Sequence, residues 1–482
     1  MSKIYFAQIW CVAKDELRYW SRSKLAISIL TIGIVLTLSS VIVTAFKMQE
    51  LSEIRHSMQE ASEETFMEQP DRHPHRMVHY GHYAFRAPSP LSMLDPGVDA
   101  HTGNSIFLEG HRQNSAMFAE QKQSTGLTKM GSLSPAFIVQ VIAPLLLILI
   151  GYSSVSRERE SQTLSFILSQ GTSIFTLVFG KGLALFFVVC LILLPLTISG
   201  VFAVLLGESL AIVGGFLAGY LLYLLVWVLV ILLFSTMFSK KSESFTALTF
   251  AWILFCIAMP RIASSTASIL VPTAGKLETD FAVIASLRKL GDGHNAQDPA
   301  FTKLKDFLLK RYGVDSIEKL PINFRGAVAS ASEAELTSVL NQFAEERMQQ
   351  ELQQTLVARL FGWISPKVAI RSLSMINAGT SVETHHRFIR ETEELRFRFV
   401  QSLNKAHMEK LSYQDDVNRN KDEEARKKAS VSSTNWQMIQ GFRFNPADAT
   451  TRFIRSADAY AQLTLWIVFL LLFIGYTGRR VQ

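Results

Sequence analysis

The side chains best able to do chemistry lie outside the long apolar runs of this 482-residue chain. Seven of its eleven histidines fall in one stretch: His56, His73, His75, His79, His82, His101 and His111. His75, His79 and His82 stand at i, i+4 and i+7. On a helix that spacing aligns three imidazoles on one face and suits zinc or copper. Pro70, Pro74 and Gly81 interrupt the stretch, however, so one regular helix through all three is not expected. A solvated or locally hydrogen-bonded cluster is the expectation, and no metal ligand is assigned. His385-His386 is a pair with no third ligand at helical spacing. A second grouping is Arg157-Glu158-Arg159-Glu160, four alternating charges. Thr163, Leu164, Ile167 and Leu168 follow at the spacing of an apolar stripe on a short helix. With little chain around it, such a stripe must bury against something.

The usual catalytic signatures are missing from the sequence. There is no G-x-x-x-x-G-K-[ST]; Phe179-Gly180-Lys181-Gly182 lacks the first Gly and the hydroxyl residue. Neither H-E-x-x-H nor G-x-S-x-G occurs. No catalytic residue and no cofactor of the chain's own is therefore expected, nor an enzymatic activity. The apolar runs are nearly free of ionisable groups, which argues against a proton-coupled carrier. Energy must come from elsewhere.

The elements that position these groups follow from composition. Charged residues are 18% of the chain and hydrophobic ones 49%, against about 25% charged in soluble domains. Mean hydropathy is +0.21. The net charge of +7 is too small and dispersed to suggest nucleic acid. Three cysteines, Cys11, Cys190 and Cys256, cannot build a disulfide framework. A bilayer core needs roughly 20 mostly apolar residues per helix. Six runs qualify: 25–46, 135–152 with a kink at Pro144, 179–206, 210–234, 245–271 and 459–476. Between them lie a first external segment, 47–134, a connecting region with a short helix, 153–178, and a much larger external segment, 272–458. The C-terminal tail is 477–482.

Lys and Arg near the span ends set the orientation. Lys3, Lys14, Arg18, Arg22 and Lys24, then Arg157, Arg159 and Lys181, then Lys240 and Lys241, and finally Arg479 and Arg480 all fall on one side if six spans alternate. Both termini, including Ser2 and Gln482, are then cytoplasmic. A five-span scheme would strand one basic cluster outside. Residues 1–24 are amphipathic, with Ile4, Ile9, Trp10, Val12, Leu17 and Trp20 set against Lys14, Asp15, Glu16 and Arg18. They suit either a helix lying in the headgroup layer or a plain positive anchor.

The external segments also carry local signals. Residues 87–103 are dense in Pro, Gly and Asp and predict ordered turns. The large segment predicts helices: Phe301, Leu304, Phe307 and Leu308 repeat along 299–312, and 332–361 has the longest pattern, with Ser332 as N-cap and Glu335 closing a capping box. Ser365-Pro366 breaks it, and 382–428 predicts one or two long, charged, antiparallel helices. Either a solvated hairpin or a lobe that touches another protein fits them. The fold class is thus mainly α: a polytopic membrane protein of six transmembrane helices, an N-terminal amphipathic helix and a large helical extracytoplasmic domain.

The run R-E-R-E-x-x-T-L-x-x-x-L-S at 157–169, followed by Gly180-Lys181 at the next span, resembles the second-span and coupling-helix region of type-2 ABC exporter permeases. Gln162 stands where that family usually has Gly before Thr-Leu. The amphipathic N-terminus resembles the family's elbow helix. Outside the membrane the chain resembles a subgroup with a large inserted external domain of unassigned function. His79-Tyr80-Gly81-His82-Tyr83-Ala84-Phe85, Leu94-Asp95-Pro96-Gly97-Val98, Phe107-Leu108-Glu109-Gly110-His111 and Leu320-Pro321-Ile322-Asn323-Phe324-Arg325-Gly326 carry that likeness. The resemblance implies a permease subunit of a bacterial inner-membrane exporter, coupled to a separate ATP-binding subunit that supplies ATP and magnesium. Arg157, Glu158, Arg159, Glu160, Thr163, Leu164, Ile167 and Leu168 would be the coupling residues, and a second permease, identical or homologous, would complete the transporter in the lipid bilayer. The alternative is a mechanotransmission subunit that works on an external protein without moving a substrate. A membrane sensor or scaffold is a third reading, without any output domain to support it.

Overall fold

A computed structural model describes residues 3–117, 133–439 and 441–481. The expectations for Ser2, for residues 118–132 of the first external segment and for Gln482 lie outside them. The described chain is mainly helical, with one two-stranded antiparallel sheet, β1 (His82–Phe85) and β2 (Ser105–Leu108). Six helices are long and apolar enough to cross a membrane: Lys24–Met67, Pro135–Glu160, Ile174–Leu205, Leu210–Met237, Lys241–Leu270 and Ala449–Arg479. They are the first to sixth spans below. Serine caps begin three of them, since the side chains of Ser23, Ser134 and Ser173 accept from the backbone N–H of Ala26, Phe137 and Thr176. Each satisfies a donor that a helix start would otherwise leave unpaired.

The first span departs from expectation. Its helix does not stop at 46 but runs unbroken for 44 residues to Met67. Residues 47–67 are rich in Glu, Met and Gln and contain neither Pro nor Gly, so nothing ends the helix before Pro70. At 1.5 Å per residue it is roughly 66 Å long, about twice a bilayer core.

Beyond the spans the two intervening segments form one lobe. Phe66 at the tip of the first helix packs with Met77 and Val78 of the short helix Pro74–Tyr80, and with Phe399, Val400 and Leu403 of the helix Val382–Lys410. The hairpin lays Ala84, Ile106 and Leu108 on Phe388 and Leu395 of that same helix. The helix Phe324–Leu360 packs along it. That helix begins eight residues earlier than its pattern suggested. Asn323, after Pro321, is the cap and accepts from Arg325 N–H at 2.9 Å. Ser332 is interior. After Lys410 the chain breaks into two short helices, Tyr413–Asn418 and Glu423–Lys428, instead of a second long one. The turns expected within 87–103 are present, around a 3-10 turn at Pro90–Met93.

A second departure concerns the helix Pro366–Asn377, which the sequence assigns to the external segment. It is wedged among the spans, with Val368, Ala369, Ile370, Leu373 and Ile376 buried. Gly219 of the fourth span makes room for it: a Cβ there would stand 2.5 Å from Leu373 Cδ2. Lys367 Nζ donates to Gln140 Oε1 at 2.8 Å, and Ser365 Oγ donates to the Phe255 carbonyl at 2.9 Å. Both acceptors lie in π-helical turns, Ile138–Ile142 and Ile253–Ala258. The second and fifth spans therefore open their helical ladders where this helix docks. The turn before Pro144 is the irregularity that its ring predicts.

Candidate functional site

The alternating charges at 157–160 lie where the ends of four spans and the N-terminal helix Lys3–Arg22 meet. Arg157 donates to Glu16 Oε2 of that helix at 2.8 Å and stacks on the Tyr19 ring, 3.8 Å from its centroid. Lys181, at the start of the third span, donates to Glu16 Oε2 at 3.0 Å and to Glu158 Oε1 at 2.9 Å. Arg159 caps the fourth span by donating to the carbonyl of Thr236 at 2.7 Å. Glu160 meets Lys241, at the start of the fifth span, at 3.6 Å. Two acids and two bases, Glu16, Glu158, Arg157 and Lys181, thus form a charge-balanced cluster in which Glu16 and Lys181 are buried and Arg157 and Glu158 partly exposed. Gly180 beside it lets the N-terminal helix approach, because a Cβ there would stand 2.5 Å from Val12 Cβ. The Gly180-Lys181 pair therefore has two separate jobs: close approach of a helix, and a buried ammonium.

From this base the chain turns into the short helix Thr163–Ser169. Thr163 Oγ1 donates to Glu158 Oε2 at 2.8 Å, tying the helix start to the cluster. Gln162 sits at φ +61°, in the left-handed region. Side chains other than glycine's are strained there.

The apolar stripe faces inward as its spacing suggested, but what covers it is the chain's own bundle. Leu164 is 8% exposed and belongs to the main core, against which Leu168 also packs. Phe166, outside the expected stripe, is the side chain that projects, 65% exposed. Arg157, Glu158 and Arg159 are likewise engaged within the chain and form no free charged face. Substituting Leu164 or Glu158 would disturb the bundle's own packing. Phe166 lies off the Leu164-Ile167-Leu168 face, on the side that the bundle leaves open.

The histidine stretch is also rearranged. His82 lies on β1, buried, within hydrogen-bonding distance of Ser62 Oγ and Gln59 Nε2 of the first helix. His75 and His79 share the helix Pro74–Tyr80 and come together with His111, after β2, and His294, from the large segment. Spacing along the chain could not supply the last two. His73 is elsewhere: together with His407 it binds the buried Asp416, at 3.1 and 2.8 Å.

Residues 278–445 match a domain of unknown function, DUF3526. No curated protein matches the chain. The match covers about a third of the sequence, including His294, the helix Phe324–Leu360, the wedged helix and Asp416, but none of the spans.

Proposed function

We propose that the chain is the permease subunit of a bacterial ATP-driven ABC transporter of the exporter kind. The end bearing Arg157, Lys181 and Lys240 faces the cytoplasm with both termini, and the lobe stands outside. The carrying observation is the short helix Thr163–Ser169: its base is fixed to the N-terminal helix and the second and third spans by largely buried charges, while Phe166 projects, 65% exposed. A push on that helix reaches the second and third spans and the N-terminal helix together. An exposed aromatic on a rigidly held turn suits a pocket in an ATP-binding subunit, which would bring ATP and magnesium. The N-terminal helix fits an elbow in the headgroup layer. It buries Ala13, Glu16 and Trp20 against the bundle and exposes Phe6, Trp10 and Tyr19. Weakly buried fifth and sixth spans leave surface for lipid and for a second permease.

The first helix supports a second reading, mechanotransmission to an external protein. One unbroken rod from Ser23 to Phe66 carries displacement at the charged end directly into the lobe. Transport into sealed vesicles distinguishes this from export, because a mechanotransmitter hydrolyses ATP without moving a solute.

The test of the shared premise is the chain purified from its native membrane. The wild type should retain an ATP-binding subunit and ATPase activity, and Phe166→Asp should lose both while keeping the wild-type melting temperature. Interface truncations above about 2 kcal/mol mark such anchors. An ATPase retained in full by Phe166→Asp would overturn the assignment.

A further inference from the structure

We propose that His75, His79, His111 and His294 form a binding site for one divalent transition-metal ion of the zinc–copper class, joining the two external segments.

One nitrogen of each of the four imidazoles lies within 4.8 Å of the others. The Nε2 atoms of His75 and His79 are 3.1 Å apart. In a tetrahedral site with metal–nitrogen bonds of about 2.0–2.1 Å, ligand nitrogens stand about 3.4 Å apart, so this pair is already at ligating separation. The ring centroids of His294 lie 4.9 Å from His75 and 5.0 Å from His111. Small side-chain rotations close the set.

His111 carries the independent observation. Its backbone is held at φ +65°, a left-handed conformation uncommon for a residue other than glycine and one that clusters at functional sites. Its Nδ1 faces Glu333 Oε2 at 3.0 Å, and its backbone N–H donates to the same oxygen at 3.2 Å. Glu333 is itself fully buried and held by Arg396 at 2.6 Å. That leaves Nε2 of His111 buried with no hydrogen-bond partner. A carboxylate that fixes one imidazole nitrogen and turns the other toward a vacant position is the arrangement that orients metal-ligating histidines.

The donor set selects the ion. Four imidazoles and no carboxylate suit zinc or copper and not magnesium or calcium, which prefer oxygen. His79 and His294 are exposed, so an ion can enter from solvent. Once bound it would fasten the short helix Pro74–Tyr80 and the loop after β2 to the 291–298 loop, which lies nearly two hundred residues away along the chain.

The experiment uses the full chain in detergent, stripped with chelator and titrated with zinc chloride and, separately, with copper chloride. The expected result is one ion per chain at micromolar or tighter affinity, with a first shell of nitrogen at about 2.0–2.1 Å by X-ray absorption. The pair His79→Ala and His294→Ala should weaken binding at least 100-fold. Both side chains are exposed, so the fold should be retained, as a circular-dichroism melt would verify. His56→Ala with His101→Ala, exposed histidines outside the cluster, should bind as wild type does. Absence of stoichiometric binding by wild type for both metals overturns the proposal. So does unchanged binding by the folded His79/His294 variant, or an equal loss in the His56/His101 variant.

Discussion

Replacing Lys181 by Met tests whether the buried charge cluster holds the short helix in place. The Lys181 and Glu16 side chains are each 3% exposed, and Glu158 is 17% exposed. Methionine preserves the length and the apolar stem but leaves two carboxylates facing each other with only Arg157 between them. Breaking a buried ion pair by removing one partner costs about 3–5 kcal/mol, most of it the uncompensated charge that remains. Lys241→Met is the internal control. Its pair with Glu160 is more than a third exposed on both sides, and water screens such pairs to about 0–1 kcal/mol. Thermal unfolding in mild detergent should therefore drop much further for Lys181→Met than for Lys241→Met. Limited proteolysis should then cut first within residues 161–171. Adding Glu158→Gln to Lys181→Met should recover part of the loss, with a coupling of about 0.5–3 kcal/mol, because the pair and not either charge is what the fold needs. Equal melting temperatures for the two single variants, with no new cleavage, would refute the clamp.

Other expectations follow from individual positions. Gln162→Gly should stabilise the chain or leave it unchanged, since relief of a left-handed conformation is worth about 1–2 kcal/mol, whereas Gln162→Val should lower the melting temperature. Leu164→Ala should cost about 2–5 kcal/mol as a core cavity, in contrast to the stability-neutral Phe166→Asp. Gly219→Val should destabilise by about 1–3 kcal/mol through overpacking on Leu373, and Leu373→Ala in the same chain should restore part of it. Asp416 gives a pH dependence. Burial works to raise its pKa, but the hydrogen bonds from His407 and His73, and their charge, hold it far below the usual carboxylate range. Its folded pKa lies below its unfolded value near 3.9, so its contribution is complete above about pH 4 and is lost as pH falls further. Asp416→Asn should lose that stability already at pH 7. Its stability should fall less steeply than wild type's below about pH 4, as read by urea unfolding.

The sequence by itself determined the six apolar helices, because apolar runs of this length, nearly free of charge, are visible without any partner and a bilayer tolerates little else. It also determined the mainly helical lobe, the turns of 87–103 and the existence of a short helix after Glu160. Lengths and pairings were decided elsewhere. The first helix outruns its apolar run because polar helix formers extend it as readily as leucine does, and only packing of Phe66 shows why the extension persists. The helix Pro366–Asn377 carries Lys367 and Arg371 in twelve residues, so hydropathy assigns it to solvent. Gly219 and the two π turns that receive it are distant in sequence. The same reason decides what Leu164 packs against: a stripe fixes which face of a helix is apolar, and only the bundle shows that its own core covers it and leaves Phe166 outside. It also explains the histidines. His75 and His79 are neighbours by helical geometry, but His111 reaches them through a left-handed turn braced by Glu333 and His294 through a loop far along the chain, contacts that only the closed tertiary structure creates.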